Sequence, residues 1–327
     1  MRFDVLILGS SAALPTADRF CSGQLLRAQS TQVLIDCGEG SLRQLQAAGA
    51  SYGKISLILI THLHGDHYFG LPGLLTSLAL NDRKKPLLIV SPPGLKEKVA
   101  PLLEMGKYEL PFALEFQELD LPVDDEPLTG EWPRHLFDHG DLSISYFPLQ
   151  HRIPTAGYLL EERRRQPNIR PEQLERFQIP FSKIKEIKAG ASYETADGQI
   201  IPNEELVMAA PEPRSFAYCS DTRYFPELSN WVSQVDLLYH EATFLHEMQD
   251  RAIETKHTTA LEAATLAKDA QVSKLIIGHF SSRYPKEEIL VTEARTVFPE
   301  TVGARELERH AVAPRGRRSS DVAASKS

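Results

Sequence analysis

Four side chains of types that commonly bind metal ions lie within six consecutive residues of this chain. The segment 61–67 reads Thr-His-Leu-His-Gly-Asp-His and directly follows an apolar run. If that run continues as a strand, His62 and His64 share one face of it. Asp66 and His67 follow a glycine, where the chain can turn sharply. We therefore predict two ligand pairs aimed at neighbouring points, which suits two metal ions better than a polar surface turn with incidental histidines.

An apolar run that ends in a histidine or an acid occurs at five places in the sequence. Short apolar runs of this kind predict buried strands. Sites in layered α/β proteins gather where strand ends meet loops, so residues distant in sequence can share one rim. The runs and the residues that follow them are 55–60 with His62, 144–149 with His151, 216–219 with Asp221, 237–239 with His240 and Glu241, and Leu275–Gly278 with His279.

These positions supply enough nitrogen and oxygen atoms for two metal ions. One ion takes three histidines, the other takes an aspartate and two histidines, and one carboxylate bridges the pair. The predicted ligands are, in that order, His62, His64 and His151, then Asp66, His67 and His279, then Asp221. A set of nitrogen and oxygen ligands without thiolate suits Zn²⁺ and also tolerates Mn²⁺ or Fe²⁺. Two such ions clamp the attacking and leaving oxygens of a phosphoryl displacement.

The leaving oxygen of such a reaction also needs a proton. His257, just before a predicted helix, is the candidate donor, and Glu241 is its candidate partner because a carboxylate favours the protonated form of a histidine. Asp66 is predicted to be essential for catalysis as a metal ligand. The alternative for His257 is a helix cap that binds only a backbone group. Four other histidines follow no strand and are expected at the surface: His135, His139, His246 and His310.

Length and charge limit the classes of protein to consider. The chain has 327 residues, enough for one large domain or two modest ones, and a formal net charge of −8 excludes a uniformly basic nucleic-acid coat. Three cysteines, Cys21, Cys37 and Cys219, cannot all pair and suit a reducing compartment. No signal peptide or apolar run of membrane-spanning length is evident, so we expect a cytoplasmic protein.

Helical and extended segments alternate along the chain. Leucine spacing, alanine content and a Thr-Thr cap predict helices at 40–50, Leu71–Leu80, 96–105 and 258–269. Leading strands are expected at 3–8 and 32–35. This mixture predicts an α/β (α+β) fold with sheets sandwiched between helices.

Two segments differ in character from the rest. Residues 163–188 hold three acidic side chains, Glu172, Glu175 and Glu186, against eight basic ones: Arg163, Arg164, Arg165, Arg170, Arg176, Lys183, Lys185 and Lys188. Such a cluster would bind phosphates and release counterions, although a solvated charged hairpin is the simpler alternative. Residues 311–327, rich in Ala, Ser and Arg, predict a disordered tail.

Several stretches resemble motifs of the tRNase Z family, which belongs to the metallo-β-lactamase fold superfamily. The pattern His-x-His-x-Asp-His at 62–67 resembles the superfamily signature. The other matches follow in order: Asp-Cys-Gly-Glu-Gly-Ser-Leu-Arg-Gln at 36–44, Ser-Asp-Thr-Arg at 220–223, His-Glu-Ala-Thr at 240–243, His-Thr-Thr at 257–259 and Gly-His-Phe-Ser-Ser-Arg-Tyr at 278–284. Together they span nearly the whole chain and are far more specific than the histidine cluster alone.

The resemblance implies a metallo-β-lactamase αββα sandwich with a protruding arm. It implies a zinc-dependent endoribonuclease, with two Zn²⁺ per subunit, that removes the 3′ trailer from precursor tRNA and leaves a 3′-hydroxyl on the tRNA and a 5′-phosphate on the trailer. Family members are homodimers in which the arm of one subunit serves the active site of the other, and the same is expected here. The family's arm grips the tRNA elbow and lies between its third-histidine and bridging-aspartate motifs, where the basic stretch also lies.

We accordingly expect a catalytic domain at 1–310, an inserted tRNA-binding arm at about 160–200 and a tail at 311–327. The side chains expected to hold substrate are Arg19, Arg163, Arg164, Arg165, Lys183, Lys185 and Lys188.

Two stretches depart from the family pattern. The loop 15–20 keeps a proline and an arginine but has Ala17 in place of lysine and Phe20 in place of asparagine. In the arm, Ile-Pro-Phe-Ser at 179–182 replaces a Gly-Pro pair. Two alternative functions are a different hydrolase on the same scaffold (a small-molecule phosphodiesterase, arylsulfatase or lactonase) and a non-catalytic RNA-binding module.

Overall fold

The computed structural model describes residues 2–107, 109–122, 128, 130–164, 166–208 and 210–314. The chain divides into two compact units. The first unit comprises Met1–Glu161 and Arg214–Ser327, and the second comprises Glu162–Pro213. The second unit contains the stretch predicted as the inserted arm, at about 160–200, and extends to residue 213; it is called the arm below.

The elements follow one another in three groups. The first group is β1 (Phe3–Gly9), β2 (Gly23–Ala28), β3 (Thr31–Cys37), α1 (Ser41–Ala47), β4 (Leu57–Leu59), α2 (Gly65–Tyr68), α3 (Leu71–Leu80), β5 (Leu87–Ser91), α4 (Leu95–Met105), β6 (Leu114–Glu118), β7 (Arg134–His139), β8 (Leu142–Leu149) and β9 (Thr155–Glu162). The arm contains β10 (Asn168–Ile169), α5 (Pro171–Arg176), α6 (Ile184–Lys188), β11 (Tyr193–Glu194), β12 (Ile200–Ile201), α7 (Asn203–Leu206) and β13 (Val207–Met208). The last group is β14 (Ser215–Cys219), α8 (Leu228–Trp231), β15 (Leu237–Glu241), α9 (Gln249–Thr255), α10 (Ala260–Asp269), β16 (Leu275–Gly278), α11 (Glu288–Arg295), β17 (Thr301–Gly303) and β18 (Arg309–Ala311).

The first unit is built from two sheets, each with seven strands among the described residues. Their strand orders are β18-β1-β2-β3-β4-β5-β6 and β17-β16-β15-β14-β9-β8-β7. Side chains alternate across β1: Val5 and Ile7 pack in the core shared by both sheets, whereas Leu6 and Leu8 pack beneath the helices on the outer face of the first sheet. Helix α10 covers β15 and β16. This is the predicted αββα sandwich.

Strand register brings distant parts of the sequence to one edge of the second sheet. β15 lies between β14 and β16 and pairs in parallel with both, which places Cys219 opposite His240 and Glu241 opposite Gly278. Parallel strands are buried on both faces, which explains the continuous apolar runs in these strands. Because the carboxyl ends are level, the residues that follow all three strands meet at one rim.

The histidine cluster adopts a different local structure from the one predicted. Strand β4 stops at Leu59, so His62 and His64 lie on a loop and not on the face of a strand. Asp66 and His67 lie in the short helix α2, which begins at Gly65. The pairing of ligands therefore depends on a loop followed by a helical turn and not on strand alternation.

The predicted tail begins inside the first sheet. β18 pairs with β1, with His310 opposite Val5, and Val312 is buried. His310, expected at the surface, is only 3% exposed. The catalytic unit thus continues past residue 310, and the remainder of the predicted tail from residue 315 lies outside the described residues.

All three cysteines are free and buried. Among the described residues, no helix has both the length and the apolar character needed to cross a membrane.

Thr259 caps α10 with a reciprocal pair of hydrogen bonds. Its hydroxyl accepts from the Glu262 amide, and the Glu262 carboxylate accepts from the Thr259 amide at 3.0 Å. Thr259→Ala is expected to lower the free energy of unfolding by about 1 kcal/mol, because a capping oxygen is lost. Urea denaturation followed by circular dichroism measures this. Thr259→Ser, which keeps the oxygen, is the control, and an equal loss in both variants would contradict the capping role.

Candidate metal centre

The residues that follow the strand ends of both sheets line one cavity of about 690 Å³ in the first unit. His64 and Asp66 reach it from the loop and helical turn after β4. His151, Asp221 and His279 reach it from the loops after β8, β14 and β16. The predicted convergence of these strand ends is present in the structure.

Three imidazoles and a carboxylate form the first group of candidate ligands. His64 Nδ1 lies 3.0 Å from His62 Nε2 and 3.2 Å from His151 Nε2. Asp221 Oδ2 lies 3.6 Å from His62 Nε2. One ligand atom from each of these four residues lies within 4.8 Å of the others. A single ion at their centre would contact all four.

The second group contains Asp66, His67 and His279, whose ligand atoms also lie within 4.8 Å of one another. Asp221 Oδ1 is 3.2 Å from Nε2 of both His67 and His279. Asp221 thus presents one oxygen to each group, the position expected of a bridging carboxylate. Both groups have the composition that the sequence predicts.

Hydrogen bonds on the far side of the first group orient its rings. His151 Nδ1 donates to the Lys256 carbonyl at 3.0 Å, so its Nε2 carries a lone pair. The Thr61 hydroxyl donates to Asp36 and therefore accepts from His62 Nδ1 at 3.0 Å. Such outward N–H bonds fix the tautomer of a metal-binding histidine and the direction of its free nitrogen.

The second group is oriented in the same way. His67 Nδ1 donates to Asp36 Oδ2 at 2.8 Å. The Thr243 hydroxyl donates to Glu241 at 2.6 Å and accepts from His279 Nδ1 at 3.0 Å. The Nε2 atoms of His67 and His279 consequently face Asp221 Oδ1.

The arrangement fits a divalent metal ion. The Nε2 atoms of His67 and His279 are buried and have no hydrogen-bond partner among the described residues. Burial lowers the pKa of His151 to about 4, so this ring is a neutral donor at pH 7. Burial opposes protonation of His67, but the nearby carboxylates, Asp221 first, raise its pKa well above its usual range, so this point of the site favours positive charge. A divalent ion bound at these nitrogens and oxygens would supply that charge.

Three residues of the site have a backbone in the left-handed region of positive φ, which residues other than glycine rarely adopt. The φ angles are 56° at Asp36, 53° at Asp221 and 57° at His279. Conformations of this kind cost on the order of 1–3 kcal/mol each and cluster at functional sites. The surrounding sheets hold this strain, which places Asp221 and His279 against each other and Asp36 against His67.

Glu241 and His257, the predicted acid–base pair, are hydrogen-bonded to each other in the structure. His257 Nδ1 donates to Glu241 Oε1 at 2.8 Å, and the Thr222 amide donates to the same oxygen at 2.8 Å. Burial opposes protonation of His257, but the Glu241 carboxylate raises its pKa to about 9. The His257 ring lies 5.1 Å from the His151 ring and 5.4 Å from the His279 ring, measured between centroids. A protonated imidazole is thus held beside both ligand groups.

Asp36 has a role that the sequence analysis does not assign. It is fully buried and accepts hydrogen bonds from His67, from the Thr61 amide at 2.8 Å and from the Tyr218 hydroxyl at 3.2 Å. The sequence does contain a signal for Asp36, because this residue directly follows the apolar run 33–35, as each predicted ligand at a strand end follows an apolar run. The role of Thr243 has no such signal, because no spacing in the sequence reveals its contacts.

Arg19 does not have the predicted role. Its side chain is buried, with Nη1 donating to the Tyr284 carbonyl at 2.8 Å and Nη2 lying 3.3 Å from Glu287. The guanidinium stacks over the Phe280 ring at 5.1 Å. Arg19 therefore anchors the loop 11–20 against the loop after β16, and the expectation that it holds substrate is corrected.

The same loop contacts a candidate ligand. The Ala13 amide donates to Asp66 Oδ2 at 3.0 Å, and Leu14 and Pro15 line the cavity. Phe20, which stands where the family has asparagine, packs so closely on Gly40 that a Cβ there would meet the ring at 2.2 Å. The Phe20 ring can therefore occupy this place because the residue it packs on, Gly40, has no side chain.

The rim of the cavity contains exposed residues that the sequence analysis does not single out. Arg152, Arg251 and Arg283 line it, and Phe69 lines it while remaining 65% exposed. Guanidinium groups bind phosphates and aromatic rings stack on bases, so this rim suits a nucleic acid. Arg283 lies within the motif at 278–284 and Arg152 directly follows His151, whereas Arg251, in α9, has no neighbouring motif.

The second unit has its own apolar core. Six buried residues form it: Ile169, Ile179, Ile187, Ile201, Leu206 and Val207. Lys183 pairs with Glu186 at 2.9 Å, Lys188 donates to Asn168 at 3.3 Å, and Lys185 is exposed.

The positive charge of this unit is local. Residues 162–213 carry eight basic and nine acidic side chains, so the excess within 163–188 is offset by the acids that follow it. Of the arginines predicted to bind substrate, Arg163 and Arg164 are exposed and Arg165 lies outside the described residues. Substrate binding by this unit stays a prediction.

Glu241→Gln is expected to lower the pKa of His257 from about 9 toward its usual range, because the carboxylate charge that stabilises the imidazolium is removed. Side-chain NMR titration of the chelator-treated protein between pH 5 and 10 measures the protonation of His257. Since the pKa is raised, the pair stabilises the fold fully below the unfolded pKa of about 6.5 and loses this contribution as pH rises through about 9. Identical titration of His257 in both proteins would show that Glu241 does not set its charge.

Comparison with known proteins identifies relatives across almost the whole chain. Ribonuclease Z from Bacteroides thetaiotaomicron is 41% identical over 305 residues, which cover 93% of this chain and 94% of that protein. Ribonuclease Z from Porphyromonas gingivalis strain W83 is 40% identical over 309 residues, which cover 94% and 98%. A family model described as anti-Pycsar protein Apyc1 matches residues 3–163, which end before Asp221, His257 and His279.

Solved structures show the same relationship. The short form of human tRNase Z superposes with a TM-score of 0.70 at 28% identity, covering 95% of this chain and 99% of that chain. A metallo-β-lactamase fold protein from Bacillus subtilis superposes with a TM-score of 0.65 at 17% identity, covering 95% and 100%, and supports the fold alone. By the extent and level of its identity to these relatives, the chain belongs to the ribonuclease Z family and has the metallo-β-lactamase fold.

Proposed function

We propose that this protein is a zinc-dependent endoribonuclease that removes the 3′ trailer from precursor tRNA. The observation that carries the proposal is the pair of adjacent ligand groups, with Asp221 facing both and members of each group lining one cavity. The names of the relatives, ribonuclease Z and tRNase Z, support RNA and tRNA as the substrate. They favour this function over a small-molecule hydrolase on the same scaffold.

We propose two Zn²⁺ per subunit, with Mn²⁺ or Fe²⁺ as substitutes. Their ligands would be His62, His64 and His151 for one ion and Asp66, His67 and His279 for the other, with Asp221 shared. When bound, the ions would activate water and neutralise the charge that develops on the phosphate. A binding module without catalysis would not need these buried groups, which argues against the non-catalytic alternative.

His257 would donate a proton to the 3′ oxygen that leaves the phosphate. The Glu241 carboxylate raises the pKa of the imidazole, which favours its protonated form, and fixes the ring orientation. Bond cleavage at this oxygen leaves a 3′-hydroxyl on the tRNA and a 5′-phosphate on the trailer. The exposed arginines of the rim would hold the flanking phosphates.

We further propose that the enzyme acts as a cytoplasmic homodimer, on the basis of the family resemblance. Sedimentation equilibrium should then give twice the chain mass of 36.6 kDa, and a monomer at micromolar concentration would contradict it.

Asp66→Ala is expected to abolish cleavage of a 3′-extended precursor tRNA, because a ligand and its negative charge are lost. The variant should bind less zinc by metal analysis while its circular dichroism stays that of the wild type. Asp120→Ala, at an exposed aspartate outside the cavity, is the matched control and should keep full activity. Cleavage by Asp66→Ala at the wild-type rate would sink the two-metal mechanism.

Removal of the arm tests the tRNA specificity. Glu161 and Ser215 are paired neighbours on β9 and β14, so a short turn can replace residues 163–213 without breaking the sheet. The shortened protein is expected to lose at least tenfold in kcat/KM on precursor tRNA and to keep its activity on bis(p-nitrophenyl) phosphate, which the ligand groups alone can hydrolyse. Equal retention of both activities would argue that tRNA is not the natural substrate.

A further inference from the structure

The two sheets contribute different chemistry to the cavity. The second sheet supplies the rim arginines Arg152, Arg251 and Arg283, from the loop after β8, from α9 and from the loop after β16. The lining from the first sheet contains no lysine or arginine in the described part of the chain. Apart from the candidate ligands, its charged and aromatic members are Glu39 and Phe69, both exposed. A phosphate is therefore attracted to the arginine side of the cavity and repelled by Glu39.

Two glycines lock the turn that carries Glu39 against the helical turn that carries Phe69. A Cβ at Gly70 would lie 2.2 Å from the Gly38 carbonyl oxygen. The Gly70 amide also donates to the Cys37 carbonyl at 2.8 Å. Glu39 and Phe69 are each next in sequence to one of these glycines, so the carboxylate and the ring belong to adjoining turns at the same cavity.

Both side chains are available to a ligand. The described residues provide Glu39 with no side-chain hydrogen bond or ion pair. The Phe69 ring packs against Gly65, where a Cβ would meet it at 2.3 Å, and it stays 65% exposed. Leu14, which is 67% exposed, adds a further apolar surface to the cavity. An ionised carboxylate only accepts hydrogen bonds, and an aromatic ring stacks on flat molecules, so these groups fit a planar base with N–H donors at its edge.

We propose that Phe69 stacks on the base of a nucleotide beside the scissile phosphate and that Glu39 selects guanine at this position. The inference deepens the proposed function and rests on RNA being the substrate. The Watson–Crick edge of guanine carries two adjacent donors, at N1 and N2, which match the two oxygens of a carboxylate. Cytosine and adenine place an acceptor nitrogen beside the amino group, which a carboxylate repels. Uracil has one donor between two acceptors.

The test uses precursor tRNAs that differ only in the base on the 5′ side or on the 3′ side of the cleavage point. Guanine at one of these positions is expected to raise the wild-type kcat/KM roughly tenfold over cytosine and adenine, the discrimination of one good bidentate contact. Glu39→Gln, whose amide has one donor and one acceptor, should shift the preference to adenine. Phe69→Ala should raise KM roughly tenfold whichever base is present, because the stack is lost. Glu97→Gln, at an exposed glutamate of α4 outside the cavity, is the matched control and should keep the guanine preference.

Three results would overturn the proposal. Equal cleavage with all four bases at both positions would show that no base is selected. A guanine preference that persists in Glu39→Gln would assign the selection to another group. A uniform fall in kcat/KM with loss of bound zinc in Glu39→Gln would show that Glu39 supports the metal centre instead. Dissociation constants of the chelator-treated protein for the same RNAs report the base preference without cleavage, so a wild type that fails to cut precursor tRNA would refute the proposed function separately.

Discussion

The carboxylate of Asp36 is the interaction on which the site depends. It lies in β3 of the first sheet, yet it accepts hydrogen bonds from His67 in α2, from Thr61 after β4 and from Tyr218 in β14 of the second sheet. One buried group therefore fixes a candidate ligand and joins both sheets at the site. A buried charge is tolerated only when its hydrogen-bonding capacity is filled, so any shift of these elements is opposed by the cost of an unpaired carboxylate.

The sequence predicts most of the ligand set, because strand ends impose a pattern that can be seen along the chain. His151, Asp221 and His279 each follow an apolar run, and the level ends of parallel strands bring such residues together. The register that aligns them, by contrast, becomes evident only in three dimensions. The same holds for the Thr243 hydroxyl, which links His279 to Glu241 through hydrogen bonds that no spacing encodes.

Two predictions depend on structural context that local sequence does not carry. The resemblance of the loop 15–20 to the family pattern predicts that Arg19 contacts the substrate. A sequence motif does not show whether a side chain is buried, and here Glu287 and the Tyr284 carbonyl enclose the guanidinium. The basic stretch 163–188 was counted without the acidic residues that complete the same folded unit. The chemistry of the site is thus readable from local sequence, whereas substrate binding depends on surfaces assembled from several segments.

The insertion point of the second unit also affects how the chain can fold. Glu161 and Ser215 lie opposite each other on β9 and β14, with residues 162–213 between them. Closing an unstructured loop of that length carries an entropic cost that grows with the logarithm of its length. Because the inserted segment has an apolar core of its own, its ordering can compensate for part of that cost. A mutation that unfolds the insert should therefore also slow the pairing of β9 with β14.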